Sequence, residues 1–198
     1  MKKYLLSTLI LISSYTVFAQ MDSIAVAADM VEANKGKDTL WRSSIAFGIN
    51  FSNVGLNNWS GGGQNAMSFV GVVVGSIAYD KDRIHWNNYL DIAYGFQRLG
   101  RKTAPFRKSD DRIYFQTKFA YEQTKKLRYA ALADFRTQFA EGYKYYDEVK
   151  PDSSVKISNI LAPAYLTASL GLEYLPFAST SIIFSPVAAK YTIVNDAE

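Results

Sequence analysis

The chain has 198 residues, enough for one domain, with 14 Tyr, 12 Phe, 3 Trp, a single His and no Cys. The lack of cysteine excludes disulfides, thiol nucleophiles and thiolate metal sites. The net charge of +4 is too small to indicate nucleic-acid binding. A mean hydropathy near zero excludes a helical membrane protein.

The N-terminus has the pattern of a cleaved secretory signal over residues 1–19. Two lysines precede a mostly apolar stretch that ends at Phe18, and Ala19 fits cleavage before Gln20. This stretch is too short for a membrane helix, although a retained anchor is the alternative. Residues 20–40 are polar, rich in Ala and of mixed charge, which predicts a periplasmic leader. A partner-binding helix is the other interpretation of that segment.

From Trp41 onward, alternating apolar and polar residues predict long strands. The seven predicted strands are 42–51, 64–79, 84–97, 111–123, 127–141, 164–175 and 181–193. Their connections alternate between short turns and long loops, an arrangement typical of outer-membrane barrels. Residues 41–198 are therefore predicted to form an all-β, antiparallel, up-and-down transmembrane β-barrel. A soluble sandwich is the alternative, but sandwich strands usually have about 5–6 residues.

Aromatic residues on three of these strands stand ten positions apart. Ten residues at ~3.3 Å each, tilted by ~40°, project to ~25 Å, the height of the apolar band on such barrels. Since aromatic rings prefer the two membrane interfaces, the pattern predicts girdles that contact lipid. The predicted girdle residues are Phe69, Tyr79, Trp86, Phe96, Tyr121, Tyr129, Phe139 and Tyr174.

The opposite face of the same strands carries charged side chains and is expected to line the barrel lumen. The predicted lumen residues are His85, Asp91, Lys118, Glu122, Arg128, Asp134, Arg136 and Glu173. A three-residue turn after the fourth strand places Glu122 opposite Arg128, and the same register puts Lys118 diagonal to Asp134. Such charges either set the selectivity of a pore or pair with one another and fill the interior.

Two strands depart from the simple alternation. In the second, Val70 and Val74 fall on the lumen face, so either part of the lumen is apolar or a bulge switches the faces. In the seventh, Pro186 indicates a bulge. A barrel exposes no open edge to lipid. Seven strands therefore lead us to expect that the sequence is incomplete at its C-terminus or closes with another chain.

The most distinctive loop motif combines Asn58, Trp59, Gly62, Gly63 and Asn65. Its glycines permit left-handed backbone and an anion-binding nest, but no Gly-Lys-Ser/Thr follows, which excludes a nucleotide P-loop. The other interpretation is a tight structural turn with the tryptophan as an interfacial anchor.

No catalytic, cofactor or metal-binding residues are predicted, and the chain is not expected to be an enzyme. His85 is the only histidine, and Ser76 is predicted to lie near it, opposite Asn87. A serine beside a histidine is one requirement of a barrel hydrolase. A lone His in this setting is more often a polar lumen residue.

A set of short motifs resembles a known family when taken in order. They are Trp41, Phe51, Asn58-Trp59-Ser60 with Gly62-Gly63 and Asn65, Trp86-Asn87-Asn88, Lys108 to Asp111, Thr137-Gln138-Phe139, Ile157-Ser158, Ala162-Pro163-Ala164-Tyr165, Gly171-Leu172-Glu173-Tyr174 and Ser185-Pro186. Over residues 41–198 the chain resembles domain-of-unknown-function family 3078, outer-membrane β-barrel proteins of Bacteroidetes-type bacteria. The resemblance implies fold and location only, because the family has no assigned activity.

The expected function is that of an outer-membrane barrel in a channel or transport-accessory role. A plugged structural or surface-assembly barrel is the first alternative, and a lipid-modifying barrel enzyme is the second. The expected partners are outer-membrane lipid and the barrel-assembly machinery. Nucleic acid is not among them, and a small solute or a partner protein is left open.

Overall fold

A computed structural model describes residues 40–57, 60–145, 154–177 and 179–194. The predicted signal, nearly all of the predicted leader, and Asn58 and Trp59 of the loop motif lie outside the described residues. The described strands are β1 (Trp41–Val54), β2 (Ala66–Lys81), β3 (Ile84–Leu99), β4 (Arg107–Thr124), β5 (Leu127–Thr137), β6 (Gly142–Tyr145), β7 (Ser154–Ser158), β8 (Ala164–Phe177) and β9 (Thr180–Ile193). Within those ranges no helix has the length and apolarity needed to cross a membrane.

Seven strands form one antiparallel sheet in the order β1-β2-β3-β4-β5-β8-β9. The seven predicted strands and their up-and-down order are confirmed. In the described part of the chain, β1 and β9 each pair with a single strand, so the sheet is open rather than closed into the predicted barrel.

The β4–β5 hairpin has the predicted register. Glu122 lies opposite Arg128, and Asp134 lies opposite Gln116, which makes it diagonal to Lys118. The hairpin turn is short enough to fix which residues face each other, because one slipped residue would exchange the two faces of the strand.

The β2–β3 hairpin turns more tightly than predicted. β2 continues to Lys81 and β3 begins at Ile84, so only two residues form the turn. Asp82 has a φ of 50°, a left-handed conformation that Asp tolerates better than most residues. The shorter turn shifts the register by two residues, so Ser76 lies opposite Tyr89 and the predicted pairing with Asn87 is wrong.

The predicted fifth strand, 127–141, ends early at Thr137. The Asp111 carboxylate accepts hydrogen bonds from the backbone N–H groups of Phe139 (3.0 Å) and Ala140 (2.9 Å). Lys108 contacts that carboxylate at 2.6 Å and also donates to the carbonyl of Ala140 at 2.8 Å. These side chains therefore form hydrogen bonds with the N–H and C=O groups that would otherwise pair with a neighbouring strand.

A separate hairpin, β6–β7, occupies part of the region predicted as one long loop. Its strands have only four and five residues, too few for alternation to distinguish them from loop. The Tyr143 hydroxyl donates to the Glu141 carboxylate. This hydrogen bond lowers the pKa of Glu141, with help from Lys156, and raises the pKa of Tyr143.

A bulge in β9 confirms the prediction made from Pro186. Leu170 pairs with Val187 and Leu172 pairs with Phe184, so β9 carries one extra residue at this point. Proline has no N–H to donate, which suits it to a bulge. The bulge pushes the backbone of Phe184 and Ser185 against Gly171.

Replacing Gly171 with Ala should therefore lower the free energy of unfolding by about 2 kcal/mol, a typical cost of overpacking. The added Cβ would meet the carbonyl oxygen of Phe184 and lie 2.7 Å from the Cα of Ser185. Both are backbone atoms that cannot rotate away. Gly48→Ala is the matched control, because no described atom lies within 4 Å of the Cβ that this substitution would add. Denaturant titration of both variants tests this, and equal stabilities would show that the bulge does not crowd Gly171.

Candidate functional site: an apolar face and a charge belt

The sheet has an inverted burial pattern. Large apolar side chains are exposed on one face, with Phe47 74% and Tyr129 53% accessible. The largest fully buried side chain of the described residues is that of Glu173, while the buried apolar residues are alanines and Val74. Glu is rarely fully buried unless it is paired, and a large exposed apolar surface is typical of an interaction face or a membrane face. We call the two sides of the sheet the apolar face and the polar face.

The predicted girdle residues all lie on the apolar face, in two rows. At the end of the sheet with the short turns, the ring of Trp41 lies 4.7 Å from Tyr79 and 6.1 Å from Trp86. Tyr121 and Tyr129 lie opposite each other in the same region. Tyr174 also lies on this face at that end, opposite Leu127 and 46% exposed.

The second aromatic row lies at the end with the long loops. Ring centroids are 4.7 Å apart for Phe51 and Phe69, and 5.4 Å apart for Phe69 and Phe96. Phe139 lies beyond the end of β5, yet its ring packs 5.2 Å from that of Tyr94. Phe139 therefore makes an aromatic contact at this end of the sheet even though the strand prediction was wrong there.

Contacts on the polar face begin at the edge strand β1. Arg42 donates to Asp80 on β2. His85 on β3 directs Nδ1 at the Asp80 carboxylate and Nε2 at the carboxylate of Glu122 on β4, 3.4 Å away. A ring nitrogen that carries a proton donates to the carboxylate that it faces, and the tautomer decides which nitrogen that is. The histidine therefore joins carboxylates from two neighbouring strands.

The same line of contacts continues to the other edge of the sheet. Arg128 on β5 lies 3.5 Å from Glu122 and 4.0 Å from Glu173 on β8. Lys118 Nζ lies 2.6 Å from Glu173 Oε1, and the hydroxyl of Ser181 on β9 donates to the same oxygen at 2.6 Å. Every strand of the sheet thus contributes to one network at the short-turn end. We call it the charge belt: Arg42, Asp80, His85, Lys118, Glu122, Arg128, Glu173 and Ser181.

The formal charges of the belt balance. Three cations face three carboxylates, with His85 as the only further titratable member. Glu173 is the most buried of the three carboxylate residues, with 1% of its surface exposed. One of its oxygens takes two hydrogen bonds, while Oε2 has no hydrogen-bond donor in the described part of the chain. A buried carboxylate of this kind depends on its cations, since isolated buried charge is very unfavourable.

The remaining predicted lumen residues lie on the polar face but outside the belt. Arg112 contacts Asp91 at 3.2 Å and Asp110 at 3.1 Å. Asp134 contacts Arg136 at 3.5 Å, whereas Lys118 contacts Glu173. The register put Asp134 diagonal to Lys118, but Glu173 lies within closer reach of the lysine.

The polar face also contains an apolar part. β2 pairs with β1 and β3 without any register shift, so no bulge switches its faces. Val74 is buried on the polar face, opposite Asp91. The first of the two alternatives for β2 is therefore the one observed.

A family comparison covers the centre of this sheet. Residues 51–143 match the family model described as a protein of unknown function, DUF3078. We call residues 51–143 the DUF3078 segment, after the family model that they match. No curated protein and no solved structure matches the chain.

The DUF3078 segment contains five of the eight belt residues, from Asp80 to Arg128. Arg42, Glu173 and Ser181 lie outside it. Sequence reasoning did not include Arg42, Asp80 or Ser181 among the lumen residues. Arg42 and Asp80 continue the polar alternation of β1 and β2, a signal that could have identified them, but charged residues at strand ends usually face solvent.

The loop motif of the DUF3078 segment ties two loops together. The side-chain oxygen of Asn65 accepts a hydrogen bond from the backbone N–H of Leu56 at 2.6 Å. The backbone carbonyl of Asn65 accepts another from the N–H of Gly100 at 2.8 Å. Gly62 and Gly63 have φ values of 80° and 102°, which favour glycine. In the described part, the motif is thus a structural connection between the β1–β2 and β3–β4 loops.

His85 and Ser76 do not form a catalytic pair in this structure. Ser76 hydrogen-bonds to Ser44 on β1 at 2.6 Å, and both ring nitrogens of His85 face carboxylates. Among the described residues no cluster of His, Asp and Glu could hold a metal ion.

Proposed function

We propose that this protein is an outer-membrane β-barrel protein whose apolar face contacts lipid and whose polar face lines the interior, in a channel or transport-accessory role. The observation that carries the proposal is the inverted burial, with aromatic side chains exposed and Glu173 buried. In lipid the exposed aromatic and aliphatic side chains are in their preferred surroundings, and charge is kept to the inside. The aromatic rows at both ends of the apolar face support the same orientation.

A plugged structural barrel is the second candidate, and the charge belt favours it. All seven strands of the sheet contribute to the belt, and its cations and carboxylates contact each other. Small barrels with such an interior are filled by their own side chains rather than by water. The two candidates share the lipid-facing surface and differ only in whether the interior conducts.

Fluorescence quenching by brominated lipids tests the lipid-facing surface. In the full chain with all three tryptophans changed to Phe, a single tryptophan is placed at Leu90 or at Tyr89. These neighbours lie on opposite faces near the middle of β3. Tryptophan at Leu90 should be quenched by bromines deep in the acyl chains, whereas tryptophan at Tyr89 should not.

Restoring Trp86 alone gives the depth control. We expect shallow bromines to quench it best, because aromatic rings of a girdle lie at the membrane interface. Equal quenching at positions 89 and 90, or ready quenching of position 90 by aqueous acrylamide, would contradict the proposal.

A further inference from the structure

A cleft of about 510 Å³ lies at the long-loop end of β1, β2 and β3. Its volume falls within the range of small-molecule binding sites. The charged and amide residues of its lining are Asn53, Asn57, Asn65, Arg98 and Lys102. The lining contains two cations and three amides but no carboxylate, which favours an anion.

Arg98 is held in place without a carboxylate partner among the described residues. Its guanidinium lies 4.9 Å from the ring centroid of Phe106, and its Nη2 lies 3.5 Å from the sulfur of Met67. Lys102 likewise has no carboxylate within ion-pair distance in the described ranges. Arg112 and Arg128, by contrast, each contact two carboxylates. The positive charge and the N–H donors of the cleft are therefore available to bind an anion.

The strand register gives the position of the cleft on the apolar face. Arg98 lies opposite Met67, and Met67 lies opposite Asn53. This row is two residues beyond the aromatic row that contains Phe69 and Phe96, a distance of about 7 Å along the strands. If the aromatic row marks the membrane interface, then the cleft lies at the depth of lipid headgroups.

We propose that this cleft binds the phosphate group of a membrane-lipid headgroup, an inference that rests on the proposed membrane location. A guanidinium presents parallel N–H donors that match two phosphate oxygens, and its stacking on Phe106 fixes its plane. Lys102 adds a second positive charge, and the asparagine amides add N–H donors. The acyl chains of the bound lipid lie along the aromatic row.

Lipid binding to the full chain in an uncharged detergent tests the proposal. Native mass spectrometry with increasing dioctanoyl phosphatidic acid should show saturable binding of one lipid. Changing both Arg98→Gln and Lys102→Gln should weaken that binding at least tenfold, while inorganic phosphate should compete only weakly. The matched control is Arg83→Gln with Lys125→Gln, which removes two exposed cations from the short-turn end and should change binding less than twofold.

Three outcomes would overturn the proposal. They are a lack of saturable lipid binding, an equal loss of binding in the control variant, and inorganic phosphate competing as well as the lipid, which would indicate a soluble anion instead. The quenching experiment on the same protein separates this failure from that of the proposed function. A chain that inserts but binds no phosphatidic acid overturns only the headgroup site, and a chain that does not insert overturns the membrane location as well.

Discussion

Replacing Lys118 with Met is expected to lower the free energy of unfolding by about 3 kcal/mol, because removing one partner of a buried ion pair leaves the other uncompensated. Glu173 is 1% exposed, and Lys118 Nζ is its closest cation at 2.6 Å. Arg128 remains only at 4.0 Å and cannot replace that contact without moving. Denaturant titration of the protein in lipid or detergent measures the change.

Two further variants make this experiment specific. Lys125→Met removes an exposed lysine from the β4–β5 turn and should change stability by less than about 0.5 kcal/mol. Adding Glu173→Gln to Lys118→Met removes the stranded charge and should restore part of the loss. If the double variant is less stable than Lys118→Met alone, then the buried carboxylate is compensated by something other than Lys118.

The strands of the large sheet were predictable because they are long. A strand such as β4, with 18 residues, repeats its alternation many times, so the pattern stands out from chance. The four-residue β6 offers no such repetition. The end of β5 was missed for another reason, since it depends on Asp111, which is distant in sequence and captures the backbone of Phe139 and Ala140.

The register of a hairpin depends on its turn length and on bulges beside the turn. The β4–β5 turn has two residues rather than the predicted three, and a register shift between Glu122 and Thr124 compensates, so Glu122 lies opposite Arg128 as predicted. The β2–β3 turn was placed two residues too long, so Ser76 was assigned the wrong neighbour. Turn length depends on local backbone conformation, here the positive φ of Asp82, which alternation does not report.

The candidate site was predictable face by face but not contact by contact. Alternation placed Lys118 and Glu173 on one face, because side chains of a strand alternate strictly between two sides. It could not show that they meet across the intervening β5, since this depends on side-chain reach. The charge belt depends on the strand order, which was predicted correctly, and on which side chains reach each other across that order, which alternation does not report.

The belt bears directly on whether the interior conducts. Its residues lie at the short-turn end, where each contacts a partner on a neighbouring or next-but-one strand. In a wide, wet interior, water would screen these contacts and each pair would contribute about 0–1 kcal/mol. In a narrow interior they would be mutually dependent and would obstruct ion flow.

Reversing the charge of Arg128 gives opposite results in these two cases. Arg128 lies between Glu122 at 3.5 Å and Glu173 at 4.0 Å, so Arg128→Glu sets three carboxylates side by side. In a conducting channel, screening should keep the loss of stability below about 1 kcal/mol, and the added negative charge should shift selectivity toward cations. In a plugged barrel, the free energy of unfolding should fall by about 4 kcal/mol.

Planar-bilayer conductance and denaturant titration of both proteins distinguish the cases. Arg136→Glu is the matched control, because the Arg136 side chain is 64% exposed and, among the described residues, contacts one carboxylate, that of Asp134. We expect the wild type to conduct and Arg128→Glu to become more cation-selective than Arg136→Glu, since Arg128 lies in the belt that the ions must pass. A silent wild type together with a strongly destabilised Arg128→Glu would reject the channel and leave the plugged barrel as the function.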